Sequence, residues 1–231
     1  MLYGTIGCEL LKIAYEGLRD MNGITLESVE DYMRELLPAR DSVLAEMEDF
    51  ARRNLVPIVG PMVGRFLYQL ARFVDAGRVL EMGSAIGYST IWFARALKPG
   101  GKVYYTDGSQ ENATRAREYI KRAGVADRVE ILVGNALDLI DQVEGEFDVI
   151  FNDVDKHYYP AVYPKAANRV RKGGLLLSDN VLWSGRVADA SVKDEYTEGV
   201  RTFNKLLYAD ERYYSTILPI RDGVAVGLRV G

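Results

Sequence analysis

Asp153, Asp155 and Lys156 fall within the segment FNDVDKHYYP, and Asp179 and Asn180 within LLLSDNVLW; each group closes a run of apolar residues. Carboxylate and amide oxygens of this kind select a hard divalent ion, Mg2+, Mn2+ or Ca2+, and disfavour zinc or copper. The plainer alternative is that Asp153 and Asp179 cap helices. A third segment, VLEMGSAIGYST, sets Glu81 ahead of Gly83 and Gly87, in a loop whose glycines let backbone approach a ligand at the start of a helix. Position 85 is Ala, so the GxGxxG pattern of dinucleotide folds is incomplete, and a pyrophosphate gains nothing from a neighbouring carboxylate. An acid at this place suits a positively charged or hydroxyl-rich ligand.

Composition narrows the chemistry further. His157 and Cys8 are the single histidine and the single cysteine among 231 residues. That removes intrachain disulfides and the zinc and thiolate sites that draw on several such side chains. Catalysis therefore falls to Asp, Glu, Lys, Tyr or Ser. With 48% hydrophobic and 27% charged residues, the chain is neither disordered nor fibrous. A net charge of −4 does not advertise binding to a phosphate backbone. No long apolar run is present, and MLYGTIGCELLKIAYEG is interrupted by Glu9, Lys12 and Glu16, unlike a signal or membrane segment. A cytoplasmic protein is expected.

These side chains need elements that bring them together. From Arg78 onward, short apolar strands alternate with amphipathic helices, the pattern of an α/β fold with a parallel sheet covered on both faces. Strands are expected over 78–82, 102–106, 129–133, 147–152 and 174–178, with helices near 88–97, 110–122, 137–143 and 159–171. A helix near 192–208 follows, then strands over 213–218 and 223–229 joined by a turn at Arg221, Asp222 and Gly223. Before them, from about Gly4 to Val74, apolar residues recur at helical spacing. A helix starts at Asp41, and Pro57, Gly60, Pro61 and Gly64 break the pattern ahead of another over 65–74. The expected organisation is one domain, 1–231, in which a helical appendage over 1–74 precedes an α/β core over 75–231.

Ligands of such sheets bind at the carboxyl ends of the strands, and the polar segments fall at those ends. The second strand ends at Asp107, whose carboxylate can accept both hydroxyls of a ribose; alternatively it only opens the turn Asp107-Gly108-Ser109. Beside Glu81 and the glycine loop, the ribose role is the better reading. S-adenosylmethionine carries both an amino group and a ribose. Neighbouring parallel strands lie roughly 5 Å apart, so the tips bearing Asp153 and Asp179 can converge on one cation.

Glu81-x-Gly83-x3-Gly87-Tyr88-Ser89, Asp107, Asp153-x-Asp155-Lys156 and Asp179-Asn180 together resemble the cation-dependent O-methyltransferases, the caffeoyl-CoA and catechol O-methyltransferase family. The likeness runs from about Leu55 to the C-terminus, where LPIRDGVAVGLRV resembles the closing hairpin of the bacterial members. It implies a Rossmann-like class I methyltransferase fold: a mostly parallel seven-stranded sheet, a C-terminal antiparallel hairpin and extra N-terminal helices. It implies S-adenosyl-L-methionine as methyl donor, a divalent cation (Mg2+ first) on Asp153, Asp179 and Asn180, Lys156 as the base, and a homodimer. Glu81, Gly83, Ser89 and Asp107 match the family's cofactor positions, as do Asp153, Val59 in Pro57-Ile58-Val59-Gly60 and Ala136 after the third strand. Val154 stands where Ala is common, and Asp155 where animal catechol enzymes have an aromatic residue, which places the sequence nearer the bacterial and plant branch.

The expected reaction is methyl transfer to a hydroxyl of a catechol-like small molecule. Two adjacent hydroxyls that chelate a cation lose a proton more easily, and Lys156 takes it if its pKa is lowered by the cation and by partial burial. Methylation of a hydroxylated uridine in tRNA, thought to be carried out by some bacterial proteins that resemble this one, is the alternative. A non-catalytic nucleotide-binding protein is a third reading, and the acidic balance leans to the small molecule. His157 reads as a partly exposed helix-start residue rather than a second base. Trp183 is either an apolar wall for a flat ring or loop packing. Cys8 reads as a small helix hydrophobe, and Arg115, Arg117, Lys121 and Arg122 as a solvated helix face. Substrate selection is expected to depend on the first 50 residues, which match no recognisable pattern.

Overall fold

The computed structural model describes residues 24–231; Cys8 and the first part of the expected helical region lie outside them. Three helices come first, α1 (Glu27–Glu35), α2 (Ser42–Asn54) and α3 (Gly60–Phe73). The alternating part follows as β1 (Arg78–Met82), α4 (Tyr88–Ala96), β2 (Lys102–Asp107), α5 (Gln110–Arg122), β3 (Val129–Val133), α6 (Ala136–Gln142), β4 (Phe147–Asn152), α7 (Tyr159–Ala167) and β5 (Val170–Ser178). Helix α8 (Glu195–Ala209) and the pair β6 (Tyr213–Leu218) and β7 (Val224–Arg229) end the chain. The strands form one seven-stranded sheet in the order β3-β2-β1-β4-β5-β7-β6. β1 to β5 are parallel, and β7 runs antiparallel to both β5 and β6. Strand order reverses between β1 and β4, and such a switch point opens a crevice at the strand ends.

Side chains alternate across each strand, so both faces of the sheet are buried. Val79, Val103, Val149 and Leu177 pack on one face with Leu44 and Met47 of α2, Val63 and Leu67 of α3 and Ile91 of α4. Leu80, Met82, Ile150 and Leu176 pack on the other with Tyr159, Val162 and Phe203. All six residues of β4 are buried, as the central strand of a two-faced parallel sheet requires. Helix α1, by contrast, buries none of its residues. Among the described residues no helix is long and apolar enough to cross a membrane.

Four expected boundaries move by three residues or more, β5 starting at Val170 rather than 174 among them, and the other three have identifiable reasons. Helix α3 begins at Gly60 rather than 65, because Pro61 sits in its first turn, where a missing N–H costs nothing. Gly64 lies inside that helix because a Cβ there would overlap the Trp92 indole. Helix α7 stops at Ala167 instead of running to 171: Arg169 donates to the carbonyls of Ile140 and Gly145, each at 2.9 Å, and β5 starts at Val170. Helix α8 starts at Glu195, where the Asp194 carboxylate caps it by accepting from Thr197 N at 3.1 Å.

Register sets the site. Met82 is level with Thr106 on one side and Asn152 on the other, and Asn152 with Ser178. The next residues along, Gly83, Asp107, Asp153 and Asp179, therefore lie at one height along one edge. Asn152 Nδ2 donates to Ser178 Oγ at 2.8 Å, bracing the two central tips.

Candidate active site

Asp153 and Asp179 open adjacent tips, and neither caps a helix: α7 starts after Tyr158, which offers no side-chain cap. Lys156 lies three residues beyond Asp153 on a 3-10 turn, Lys156–Tyr158, and only 8% of it is exposed. Its Nζ donates to Asp153 Oδ1 at 2.8 Å and to Val154 O at 3.2 Å, and lies 5.1 Å from the centre of the Tyr159 ring. Tyr159 OH donates to the Asp179 carbonyl at 2.7 Å and pins that tip. Asp179 is buried, and its Oδ1 has no hydrogen-bond partner. Asn180 follows with φ 53, a left-handed conformation that asparagine tolerates better than most side chains.

Electrostatics follow from that burial. The Asp179 carboxyl is pushed up to about 7, first by burial and then by the charge of Asp153. Burial works against the Lys156 ammonium, but Tyr159 and then Asp153 more than offset it and hold the amine above its ordinary range. Of the two causes expected to lower the Lys156 pKa, a cation and partial burial, burial acts in that direction, and Tyr159 and then Asp153 outweigh it. Among the described residues no three His, Cys, Asp or Glu side chains gather as a metal site; the candidate donors are two carboxylates and the Asn180 amide.

The glycine loop lies beside these tips. Glu81 is completely buried, Thr90 donates to its Oε2, and Oε1 has no partner. Burial raises its carboxyl to about 7 against the hydroxyls of Ser89, Thr90 and Ser84. Gly83 has φ 85, and a Cβ there would come within 2.5 Å of the Asp153 carbonyl, so close packing of two tips already requires glycine. Ala85 takes the left-handed conformation, φ 45, that the absent glycine would have supplied. Its N–H donates to Asp107 Oδ2 at 2.9 Å, while Asp107 Oδ1 accepts from Ser109 N at 2.8 Å and Asn112 Nδ2 at 3.1 Å. Asp107 therefore does build its turn, and it also faces the cleft.

An open cleft of about 1570 Å³ runs along this edge, lined by Gly83, Asp107, Ala136, Asp153, Lys156, Asp179 and Asn180. Its volume exceeds the roughly 300–1,000 Å³ of a typical single-ligand pocket. Glu81, Ser89 and Val59 are not brought into the wall; they are 0%, 6% and 3% exposed and lie behind it. Two features go beyond the sequence, which leaves Trp183 as either an apolar wall for a flat ring or loop packing. Trp183 stacks on Tyr196 at 6.3 Å and 10°, with His157 edge-on to Tyr196 at 5.1 Å, and both stacked rings line the cleft. Arg221, which reads in sequence only as a turn residue, lines it too.

Residues 37–230 match the family model described as O-methyltransferase. The chain is 36% identical over 219 residues to catechol O-methyltransferase of Niastella koreensis, spanning 90% of this chain and 99% of that protein. It is 35% identical over 178 residues to caffeoyl-CoA O-methyltransferase 1 of Eucalyptus globulus, 72% of each. Among solved structures, the O-methyltransferase of Bacillus cereus in complex with S-adenosylhomocysteine superposes with a TM-score of 0.80 at 35% identity, covering 87% of this chain and 97% of that one. The O-methyltransferase TomG of Streptomyces achromogenes, in complex with S-adenosylmethionine, gives 0.81 at 32% identity, covering 88% and 96%. On sheet order, sequence and superposition alike, the chain belongs to the O-methyltransferase family and is an S-adenosylmethionine-dependent O-methyltransferase.

Proposed function

We propose that the protein methylates a hydroxyl of a catechol-type small molecule, with a divalent cation on Asp153, Asp179 and Asn180 and with Lys156 as general base. The observation that carries this reading is the meeting of those four residues in one cleft, with Asp179 Oδ1 buried and unpartnered. A bare carboxylate oxygen costs about 1–3 kcal/mol and suits a group that arrives with the reactants. Two carboxylates and an amide oxygen fit a hard cation. When bound, such an ion stabilises an acceptor oxyanion by its charge. Lys156 gives up its proton more readily when Asp153 is engaged elsewhere, and the free amine then takes the proton of the acceptor hydroxyl at Nζ. The stacked rings of Trp183 and Tyr196 offer a flat apolar surface to an aromatic acceptor. Asp107, Gly83 and Ala136 are assigned to the cofactor side of the cleft. Glu81 and Ser89 support its loop from within, and Val59 adjoins the cleft-lining Gly60. The names of the relatives, catechol and caffeoyl-CoA O-methyltransferases, support the acceptor class.

The test is methyl transfer from labelled S-adenosylmethionine, with catechols and undermodified tRNA in parallel. Label should enter the catechol, stop with EDTA and resume with Mg2+. Label in tRNA alone, or turnover that survives the chelator, overturns the reading.

A further inference from the structure

Among the cations that line the cleft, four have carboxylate partners. Arg34 pairs with Glu30 and Asp31, Arg40 with Glu48, Arg52 with Asp49 and Lys156 with Asp153. Arg221 also lines it, and no carboxylate of a described residue lies within 4.0 Å of its guanidinium. The neighbouring Asp222 is engaged instead by the N–H of Ser184. Arg221 sits in the β6–β7 turn with φ 52, a left-handed conformation that glycine adopts most cheaply, so a long charged side chain stands at a position whose backbone does not favour one. Its Nη1 donates to the carbonyl of Ile58 at 2.9 Å and to that of Val59. Those bonds anchor one end of the fork. Its Nε and Nη2, the edge that grips a carboxylate through two parallel bonds, donate to no described residue.

We propose that Arg221 seats the carboxylate of a reactant through Nε and Nη2, while Nη1 holds the guanidinium against the Ile58 and Val59 carbonyls. Two reactants can supply that group: the methionyl carboxylate of S-adenosylmethionine, or the carboxylate of a catecholic acid. The second source rests on the acceptor class proposed above, and the first does not.

Calorimetry on the wild type, Arg221→Gly and Arg221→Lys decides between them. The glycine variant suits the backbone, and the lysine variant keeps the charge without the fork. Two ligand pairs differ only at the carboxylate: S-adenosylhomocysteine against its decarboxylated analogue, and 3,4-dihydroxybenzoate against its methyl ester, the latter pair with S-adenosylhomocysteine and Mg2+ present. In one pair the wild type should favour the carboxylate by ~10- to 100-fold. Arg221→Gly should erase that preference and Arg221→Lys should retain part of it. Loss in the first pair assigns the site to the cofactor, and loss in the second to the acceptor. A wild type with no preference in either pair, or a preference undiminished in Arg221→Gly, overturns the proposal and leaves Arg221 as a tie between the turn and the Ile58 and Val59 carbonyls. Methyl transfer to the uncharged ester by the wild type tests the acceptor class separately, so either idea can fail without the other.

Discussion

Replacing Glu81 with Gln should flatten part of the pH dependence of stability in the ligand-free protein. Glu81 is completely buried beneath the glycine loop, and its carboxyl is raised from 4.5 to about 7 by that burial. The sign follows from linkage: between these two values the folded protein holds a proton that the unfolded chain has released, so stability falls as pH rises. At about 1.4 kcal/mol per tenfold change in proton affinity, the full displacement is worth about 3 kcal/mol, most of which falls between pH 5 and pH 8. Glu81→Gln keeps the side-chain volume and an oxygen for the Thr90 hydroxyl but cannot ionise. The assay is urea unfolding of both proteins at pH 5, 6, 7 and 8 without ligand. The stability lost between pH 5 and pH 8 should be smaller in the variant by about 2–3 kcal/mol. Asp179 contributes in the same direction, but it is present in both proteins and cancels in the comparison. Equal losses in the two proteins would refute the reasoning, because Glu81 would then have the same proton affinity folded and unfolded.

Lys156→Met should lower kcat by ~10²–10⁴-fold while calorimetric affinity for S-adenosylhomocysteine stays near the wild-type value; full turnover by a folded variant removes Lys156 from the chemistry. Asp107→Asn should weaken S-adenosylhomocysteine roughly tenfold, and unchanged affinity would leave Asp107 with its turn alone. Gly64→Ala places a methyl against the Trp92 indole and should destabilise the protein by about 1–3 kcal/mol, read from denaturant unfolding; a neutral effect would mean that Trp92 shifts freely.

The sheet was legible because a buried parallel strand is a short apolar run, and β1, β3 and β4 keep the bounds that their sequences suggest. The candidate tips were legible for a related reason: a polar residue directly after such a run must emerge at the carboxyl edge, as Asp107, Asp153 and Asp179 do. What stayed hidden depends on contacts distant in sequence. Arg221 meets carbonyls more than 160 positions away, and nothing local in Arg221-Asp222-Gly223 signals it. Gly64 read as a helix breaker because the Trp92 indole that requires it lies on another helix. The depth of Glu81 was equally invisible, since an acid before a glycine turn looks the same in sequence whether it faces a cleft or lies under its floor.

The tips are held by backbone rather than by loops. Ser84 N donates to Thr106 O at 2.9 Å, Asp153 N to Met82 O at 2.8 Å, and Asp179 N to Asn152 O at 3.1 Å, so hydrogen bonding continues past the last strand residues. That continuation fixes acidic side chains where a mobile loop would let them swing into water, and it forces the fold to bury two carboxyls that both rise to about 7. Above neutral pH the ligand-free protein therefore carries buried negative charge that its own side chains balance only in part. A positively charged group that reaches Asp179 in the cleft wall recovers some of the cost, and whatever binds only the folded state stabilises it. The burial that weakens the empty protein as pH rises thus strengthens its hold on a cation at Asp179, and affinity rises across the same pH range in which the stability of the empty protein falls.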